Sequence, residues 1–582
     1  MDTGLDRNRI KVTPAFKSAN LQLLALWLVP LAFLGAFYFY PLVNILAVSF
    51  ARLESGAENP FLQALASAGM RNVLWFSLWQ AVLSTMLTLL VGLPGAYLLA
   101  RYDFRGKSLI RALTGIPFVM PALVVAAAFN SLLGPQGWVN QGLMAVFNLS
   151  SPPIQFTNTL WAILMAHVFY NTTIVLRTVG DFWSHLDPRL TQAAAVLGAN
   201  RWQQLRQVTL PLLAPAIASA ALLIFIFDFT SFGVILVLGG PRFSTLETEI
   251  YYQTVGLFNL PLAATLALIQ LACTLALTIV YTRLARRVTR PLTIRPQSYT
   301  QKRLVSWRSR LMVAIFFGLL LAFMLTPLVA LTMRSVTHFD RVAGQGSLSE
   351  NLTLDYYREL NVNRRGSLFY IPPAAAVGVS LGYASMTMLL ALLLGLPAAW
   401  ALARNGSVPL NRALDPLLML PLGTSAVTLG LGFIVALDSP PLDLRASPWL
   451  IPLAHTLVAF PFVVRSLAPA LHSIRPRLRH AAATLGANPV SVFMHIDLPL
   501  AGRAVLVAAI FAFTISLGEF GATALIARPE YPTLPVAIYR LISMPGAMNY
   551  GQALALSTIL MVITGLGMLV IERFRIADVG EF

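Results

Sequence analysis

Apolar residues run along this chain in twelve stretches of about 20 residues, each long enough to cross a bilayer as a helix. In the first half they begin near Leu21, Asn72, Leu109, Thr157, Thr209 and Leu260; in the second, near Leu311, Ala374, Leu414, Trp449, Leu498 and Tyr550. Within lipid every backbone N–H and C=O must be satisfied inside its own segment, so such stretches predict helices and not isolated strands. Several are interrupted, by Gly92 and Pro94 or by Pro117 and Pro121, and a helix bundle tolerates these breaks where neighbours satisfy the freed groups. The pattern predicts an all-α polytopic membrane protein of about twelve spans.

Composition sharpens this. The 582 residues are 57% hydrophobic and 11% charged, too few charges to clothe soluble domains. A net charge of +18 would suit a nucleic-acid binder, but the Lys and Arg residues fall in short gaps between apolar stretches, so no nucleic-acid partner is expected. With the N-terminus inside, about 29 of the 41 Lys and Arg residues lie in inner segments, which predicts both termini in the cytoplasm. The residues from Arg283 to Arg310 are densely basic, and Arg503 reads as lying within a span. A long outer loop, Arg334 to Tyr370, mixes Arg364 and Arg365 with Asp340, Glu350, Asp355 and Glu359. The polar opening residues and the long apolar run after them read as a retained first span, not a cleaved leader. Cys273 is the one cysteine, which excludes an internal disulfide and a cysteine zinc site.

The chain repeats itself. Trp161 to His167 matches Trp449 to His455 at an offset of 288, and the same offset joins Leu197-Gly-Ala-Asn200 to Leu485-Gly-Ala-Asn488. It persists through Leu210-Pro211 and Leu498-Pro499, Phe232-Gly233 and Phe520-Gly521, and Ile250-Tyr251 and Ile538-Tyr539. Gly92-Leu93-Pro94 matches Gly395-Leu396-Pro397 at 303, so one loop is shorter in the second half. An even number of spans per half makes this a parallel repeat about an axis along the membrane normal. The expected organisation is a cytoplasmic segment 1–20, a first repeat 21–283, a basic cytoplasmic linker 284–310 and a second repeat 311–582.

Two inner loops stand out, 190–213 and 478–501. The first reads Gln192-Ala193-Ala194-Ala-Val-Leu-Gly198 and then Leu210-Pro211; the second reads His480-Ala481-Ala482-Ala-Thr-Leu-Gly486 and then Leu498-Pro499. This pattern, present twice in equivalent inner loops, resembles the EAA loop of ABC importer permeases, and the layout resembles their type I fold with two fused halves. Phe76 to Gln80, Gly137-Trp138, Ala166 to Asn171 and Phe232 to Gly240 resemble the thiamine branch; Ser516-Leu-Gly-Glu-Phe-Gly521 also resembles iron, molybdate and sulfate permeases. The resemblance implies that each loop docks into a separate ATPase subunit, two copies in all, with a substrate-binding protein on the outer face. ATP and Mg would then be used by the partner, and this chain would bind no cofactor of its own. Gln192 and His480 replace the leading Glu, so the resemblance implies no salt bridge from that position.

Within the spans, two acids stand out, Asp228 and Glu519, because an ionised side chain there costs roughly 2.5–3.5 kcal/mol and belongs against the bundle or a wet cavity. At the repeat offset Asp228 pairs with Ser516 and Glu519 with Ser231, placing the acids about one turn apart on equivalent helices. They read either as an attraction for a cationic substrate or as interhelical hydrogen-bond partners. His167 and His455 are repeat mates, read as hydrogen-bonding across the pseudo-twofold axis rather than binding zinc. Phe225, Phe227, Phe229 and Phe232 read as packing groups or as a gate for a ring-bearing solute, and Asp228, Ser231, Phe232, Ser516, Glu519, Phe520, His167 and His455 are the candidate substrate-pathway residues. Gly106-Lys107-Ser108 imitates the end of a phosphate-binding loop but has Arg101 where its earlier glycine belongs, and no catalytic or metal residues are expected.

The expected function is therefore the membrane-embedded translocation subunit of an ABC importer in the inner membrane, moving thiamine, with iron(III) or another ion as the alternative. A twelve-span ion-coupled secondary transporter shares the outline and would use Asp228 or Glu519 for coupling.

Overall fold

The computed structural model describes residues 26–54, 61–62, 66–288, 301–338, 352–363, 371–404 and 409–574. The segment 1–20, residues 289–300 of the basic linker, and Asp340, Glu350, Arg364 and Arg365 of the outer loop lie outside the described residues.

Among the described residues, ten helices are long and apolar enough to cross a membrane, and two further pairs are bent, which gives up to twelve spans. In the first half α1 (Leu26–Phe50), α2 (Ala68–Arg101) and the helices α3 (Lys107–Val119) and α4 (Ala122–Leu133) are followed by α5 (Trp138–Phe147) and α6 (Leu160–Ser184). Then come α7 (Pro188–Val196), α8 (Arg201–Phe229), α9 (Leu246–Tyr251) and α10 (Leu260–Val288). The second half repeats this as α11 (Trp307–Arg334), α12 (Ala375–Arg404), α13 (Pro409–Met419), α14 (Ala426–Ala436) and α15 (Leu450–His472). It ends with α16 (Pro476–Thr484), α17 (Pro489–Leu500), α18 (Gly502–Gly518), α19 (Gly521–Ile526), α20 (Leu534–Ser543) and α21 (Ala547–Phe574).

The stretch read as one span from Leu109 is two half-length helices. Pro121 has no N–H to continue α3 and takes an extended backbone ahead of α4. The second half breaks in the same place: the helices on either side of Thr424 and Ser425 meet at 97°, and the Ser425 hydroxyl caps α14 by accepting from the Val427 and Thr428 amides. A second bend, of 76°, separates α17 from α18. It leaves Arg503, read as intramembrane, exposed in the first turn of α18.

The repeated Gly-Leu-Pro motif marks a close helix crossing. A Cβ on Gly92 would fall 2.6 Å from Val175 Cβ, and one on Gly395 would fall 2.5 Å from Val463 Cγ1. Val175 and Val463 are themselves repeat mates, so each half uses one glycine to bring the same two helices together.

The halves exchange their first helices. The helix α1 packs on α14 of the second half; Trp27 Nε1 donates to Asn411 Oδ1 of α13 at 3.0 Å, and the hydroxyls of Tyr38 and of Thr424, in the break before α14, meet at 2.7 Å. Reciprocally, α11 packs on α4 of the first half. Within the linker, β2 (Lys302–Arg303) pairs in parallel with β1 (Tyr102–Asp103), in the loop between α2 and α3.

Candidate docking loops and translocation axis

The helices α7 and α16 bury none of their residues. Each ends identically. Gly198 (φ +88°) and Gly486 (φ +84°) occupy the left-handed region, where a side chain is strained. The Gly198 amide donates to Ala195 O and the Ala199 amide to Ala194 O; the Gly486 and Ala487 amides do the same to Ala483 O and Ala482 O. This is a Schellman cap, in which the glycine satisfies carbonyls that the helix end would leave bare. The residue before each glycine is driven outward: Leu197 and Leu485 are both 88% exposed. Around them Gln192, Ala193, His480 and Ala481 are exposed, and Ala194 and Ala482 half-buried. Asn200 and Asn488 then cap the next helix, which passes through a wide π turn (Gln204–Thr209, Phe493–Asp497) to Leu210-Pro211 and Leu498-Pro499.

The second loop carries an anchor that the first lacks. Asp497, fully buried, accepts from Arg479 Nε at 2.7 Å and from Trp400 Nε1 at 3.0 Å, while Arg479 also donates to Leu471 O. Asp497 and Arg479 correspond to Thr209 and Thr191 in the first half. Sequence reading passed over this pair because eighteen residues and a turn separate the two charges.

Inside the bundle each repeat-related histidine gathers two hydroxyls and one acid, and the acid and the serine of the repeat pairs Asp228–Ser516 and Ser231–Glu519 exchange positions. His167 Nδ1 lies 2.9 Å from Ser84 Oγ and 3.4 Å from Asp228 Oδ1, and its Nε2 lies 2.9 Å from Ser231 Oγ. His455 Nδ1 lies 2.7 Å from Ser516 Oγ; its Nε2 lies 2.7 Å from Thr523 Oγ1 and 3.1 Å from Glu519 Oε2. Each ring thus bonds within its own half, and the expected contact across the axis is replaced by these local partners. Asp228 accepts from Asn171 Nδ2 at 2.7 Å, and Gln80 donates to its main-chain oxygen. Glu519 accepts from the Ala522 and Thr523 amides and the Thr523 hydroxyl, capping α19. Both acids are buried in hydrogen-bond networks between helices.

A third carboxylate was missed. Glu247, buried in α9, accepts from Gln270 in its own half and from Ser425 Oγ of the other half at 2.6 Å. The acid lies at the N-terminus of α14, where a helix dipole favours negative charge. Its sequence signal was slight, because α9 is too short to register as a span; its repeat mate is Pro535.

Of the aromatic residues, Phe225 stacks on Phe229 and Phe227 lies against Phe118. Phe232 and Phe520 stack on each other across the two halves, with ring centroids 5.4 Å apart. Lys107, in the loop that imitates a phosphate site, donates to Tyr102 O and closes its own turn.

Residues 92–290 match the family model described as the binding-protein-dependent transport system inner membrane component. The chain is 28% identical to the thiamine transport system permease protein of Salmonella typhimurium, over 85% of this chain and 87% of that protein. It is 26% identical to the Escherichia coli protein of the same description, over 91% and 93%, and 27% identical to a probable ABC transporter permease of Sinorhizobium fredii, over 86% and 87%. Among solved structures, a bacterial alginate ABC transporter in complex with an alginate pentasaccharide-bound periplasmic protein gives a TM-score of 0.39 at 19% identity, covering 47% of this chain and 96% of its own.

Proposed function

We propose that this chain, an ABC importer permease with two fused halves, is the translocation subunit that carries thiamine across the bacterial inner membrane. The observation that carries the reading is the pair of glycine-capped cytoplasmic helices, each holding a leucine clear of the protein. A leucine left almost wholly exposed at two repeat-related sites is apolar area awaiting a partner. Two ATPase subunits, one per loop, supply that partner, and ATP and Mg belong to them. With both termini in the cytoplasm, the loops face the ATPases and the opposite face receives the substrate-binding protein. When the ATPases close they drive the loops together, and the two six-helix halves (21–283 and 311–582, joined by the linker 284–310) rock about the axis between them. The pathway runs along that axis, where parallel-repeat transporters bind their substrates.

Thiamine is the substrate favoured by the similarity to thiamine permeases over most of both chains. The test is uptake into proteoliposomes holding this chain, its ATPase and its binding protein. ATP-dependent accumulation of radiolabelled thiamine supports the proposal. Uptake that follows an ion gradient without ATP would replace it with a secondary transporter, and ATP-dependent uptake of ferric ion alone would replace the substrate.

A further inference from the structure

Phe232 and Phe520 are repeat mates, and each rests on the other with an interplanar angle of 23°. A residue that touches its own symmetry mate must lie on the symmetry axis. The same holds one ring outward: Tyr251 packs on Phe232 at 5.3 Å and its mate Tyr539 packs on Phe520 at 5.5 Å. Four rings, two from each half, therefore close the axis as one cluster, because the Tyr251 and Tyr539 side chains also hydrogen-bond to each other. The two phenylalanines are buried and the two tyrosines half-buried, so the tyrosine pair forms the more accessible side of the cluster. The glycine after Phe232 permits the approach, since a Cβ on Gly233 would lie 3.3 Å from Phe520 Cδ1; its mate Gly521 instead lets α19 pack on α14, where a Cβ would lie 2.9 Å from Ala426 Cβ.

We infer that this cluster of rings is both the gate of the pathway and its selectivity element, admitting a flat ring-bearing solute by face-to-face contact. The inference rests on the proposed pathway between the halves. Because Phe232 belongs to one half and Phe520 to the other, any rocking that opens the axis separates their faces. The exposed faces then offer a flat solute the stacking they have just lost. Charge plays little part in this reading. The Glu519 carboxylate is occupied by two amides, a hydroxyl and His455, and one oxygen of Asp228 is held by Asn171 while the other is buried without a hydrogen bond.

The test compares Phe232→Leu, Phe520→Leu and the double variant with Phe232→Tyr and Phe520→Tyr in the complete transporter, reading radiolabelled thiamine uptake and ATP hydrolysis in the same vesicles. Leucine keeps bulk and apolarity but has no ring face. The expected result is at least a tenfold fall in uptake for the double leucine variant, with ATP hydrolysis still stimulated by the loaded binding protein. The tyrosine variants should remain within about threefold of the parent. Parental uptake in the double leucine variant would overturn the inference alone. No thiamine uptake by the unsubstituted transporter would overturn the proposed function and this inference with it. A second measurement does not depend on the leucine variants assembling. With Cys273 changed to Ala, Phe232→Cys with Phe520→Cys should form an oxidative cross-link that stops uptake until a reductant is added. Failure to cross-link, or full uptake by cross-linked protein, would also overturn it.

Discussion

Leu197 and its repeat mate Leu485 occupy the same position in two identical helix caps, and both stand almost wholly outside the protein. Nothing in the internal packing calls for a leucine at either site. Their placement depends on Gly198 and Gly486, whose left-handed backbone turns the chain just after them.

Replacing those glycines tests the cap without touching the core, since a Cβ at either position meets nothing within 4 Å. The penalty is conformational, about 1–2 kcal/mol for most residues and less for Asn, which tolerates this region. Gly198→Val and Gly486→Val should therefore sharply lower ATP-driven uptake while the purified chain melts nearly as before. Gly→Asn should keep most of the uptake. Equal uptake in all four variants would argue that the loop shape is irrelevant to coupling.

The anchor beneath the second loop predicts an asymmetry. Arg479→Met leaves Asp497 buried without its main partner, a change that typically costs about 3–5 kcal/mol. Adding Asp497→Asn removes the stranded charge, so the double variant should be more stable than Arg479→Met alone. Thr191→Ala and Thr209→Ala, at the equivalent sites of the first half, should have little effect. Thermal unfolding of the four proteins in detergent checks the order.

Glu519 distinguishes a structural acid from a substrate-attracting one. As a cap for α19 it satisfies two amides and a hydroxyl, so Glu519→Ala should destabilise by about 1–3 kcal/mol. Variants that still assemble should show the parental thiamine concentration for half-maximal uptake. A large rise in that concentration at unchanged melting temperature would instead mean that the acid attracts substrate.

Ser425 joins the broken helix of one half to Glu247 of the other. Loss of its cap alone costs about 0.5–2 kcal/mol, and Ser425→Ala also strands the carboxylate. Glu247→Gln keeps a hydrogen-bonding group in place. Ser425→Ala should thus lower the melting temperature more than Glu247→Gln; the reverse order would mean that the negative charge itself holds the halves together.

Much of the architecture was legible in the sequence. Apolar length gave the spans, and the constant offset gave the two halves, because both are properties of sequence order. The two glycine-stopped loops were legible because a left-handed helix end demands glycine at a fixed distance from the helix it stops. The break at Pro121 was visible as a proline, but its counterpart at Thr424 and Ser425 was not, since a serine cap has no signature inside an apolar run. Contacts between distant segments were not legible either. Alignment made Phe232 and Phe520 equivalent without saying that they touch, and Glu247 met Ser425 only once the halves were docked. The histidines, expected to bond across the axis, instead found serines and acids on neighbouring helices of their own half.

The central claim is that two ATPase subunits dock on the two leucine-bearing loops. Purifying the tagged chain from its own membranes in mild detergent and counting partners by quantitative mass spectrometry tests this directly. The account predicts two copies of a Walker-motif ATPase per chain, lost when Leu197 and Leu485 are both changed to Glu in a protein that still melts normally. A chain recovered without any ATPase, yet active in ATP-free vesicles under an ion gradient, would contradict it.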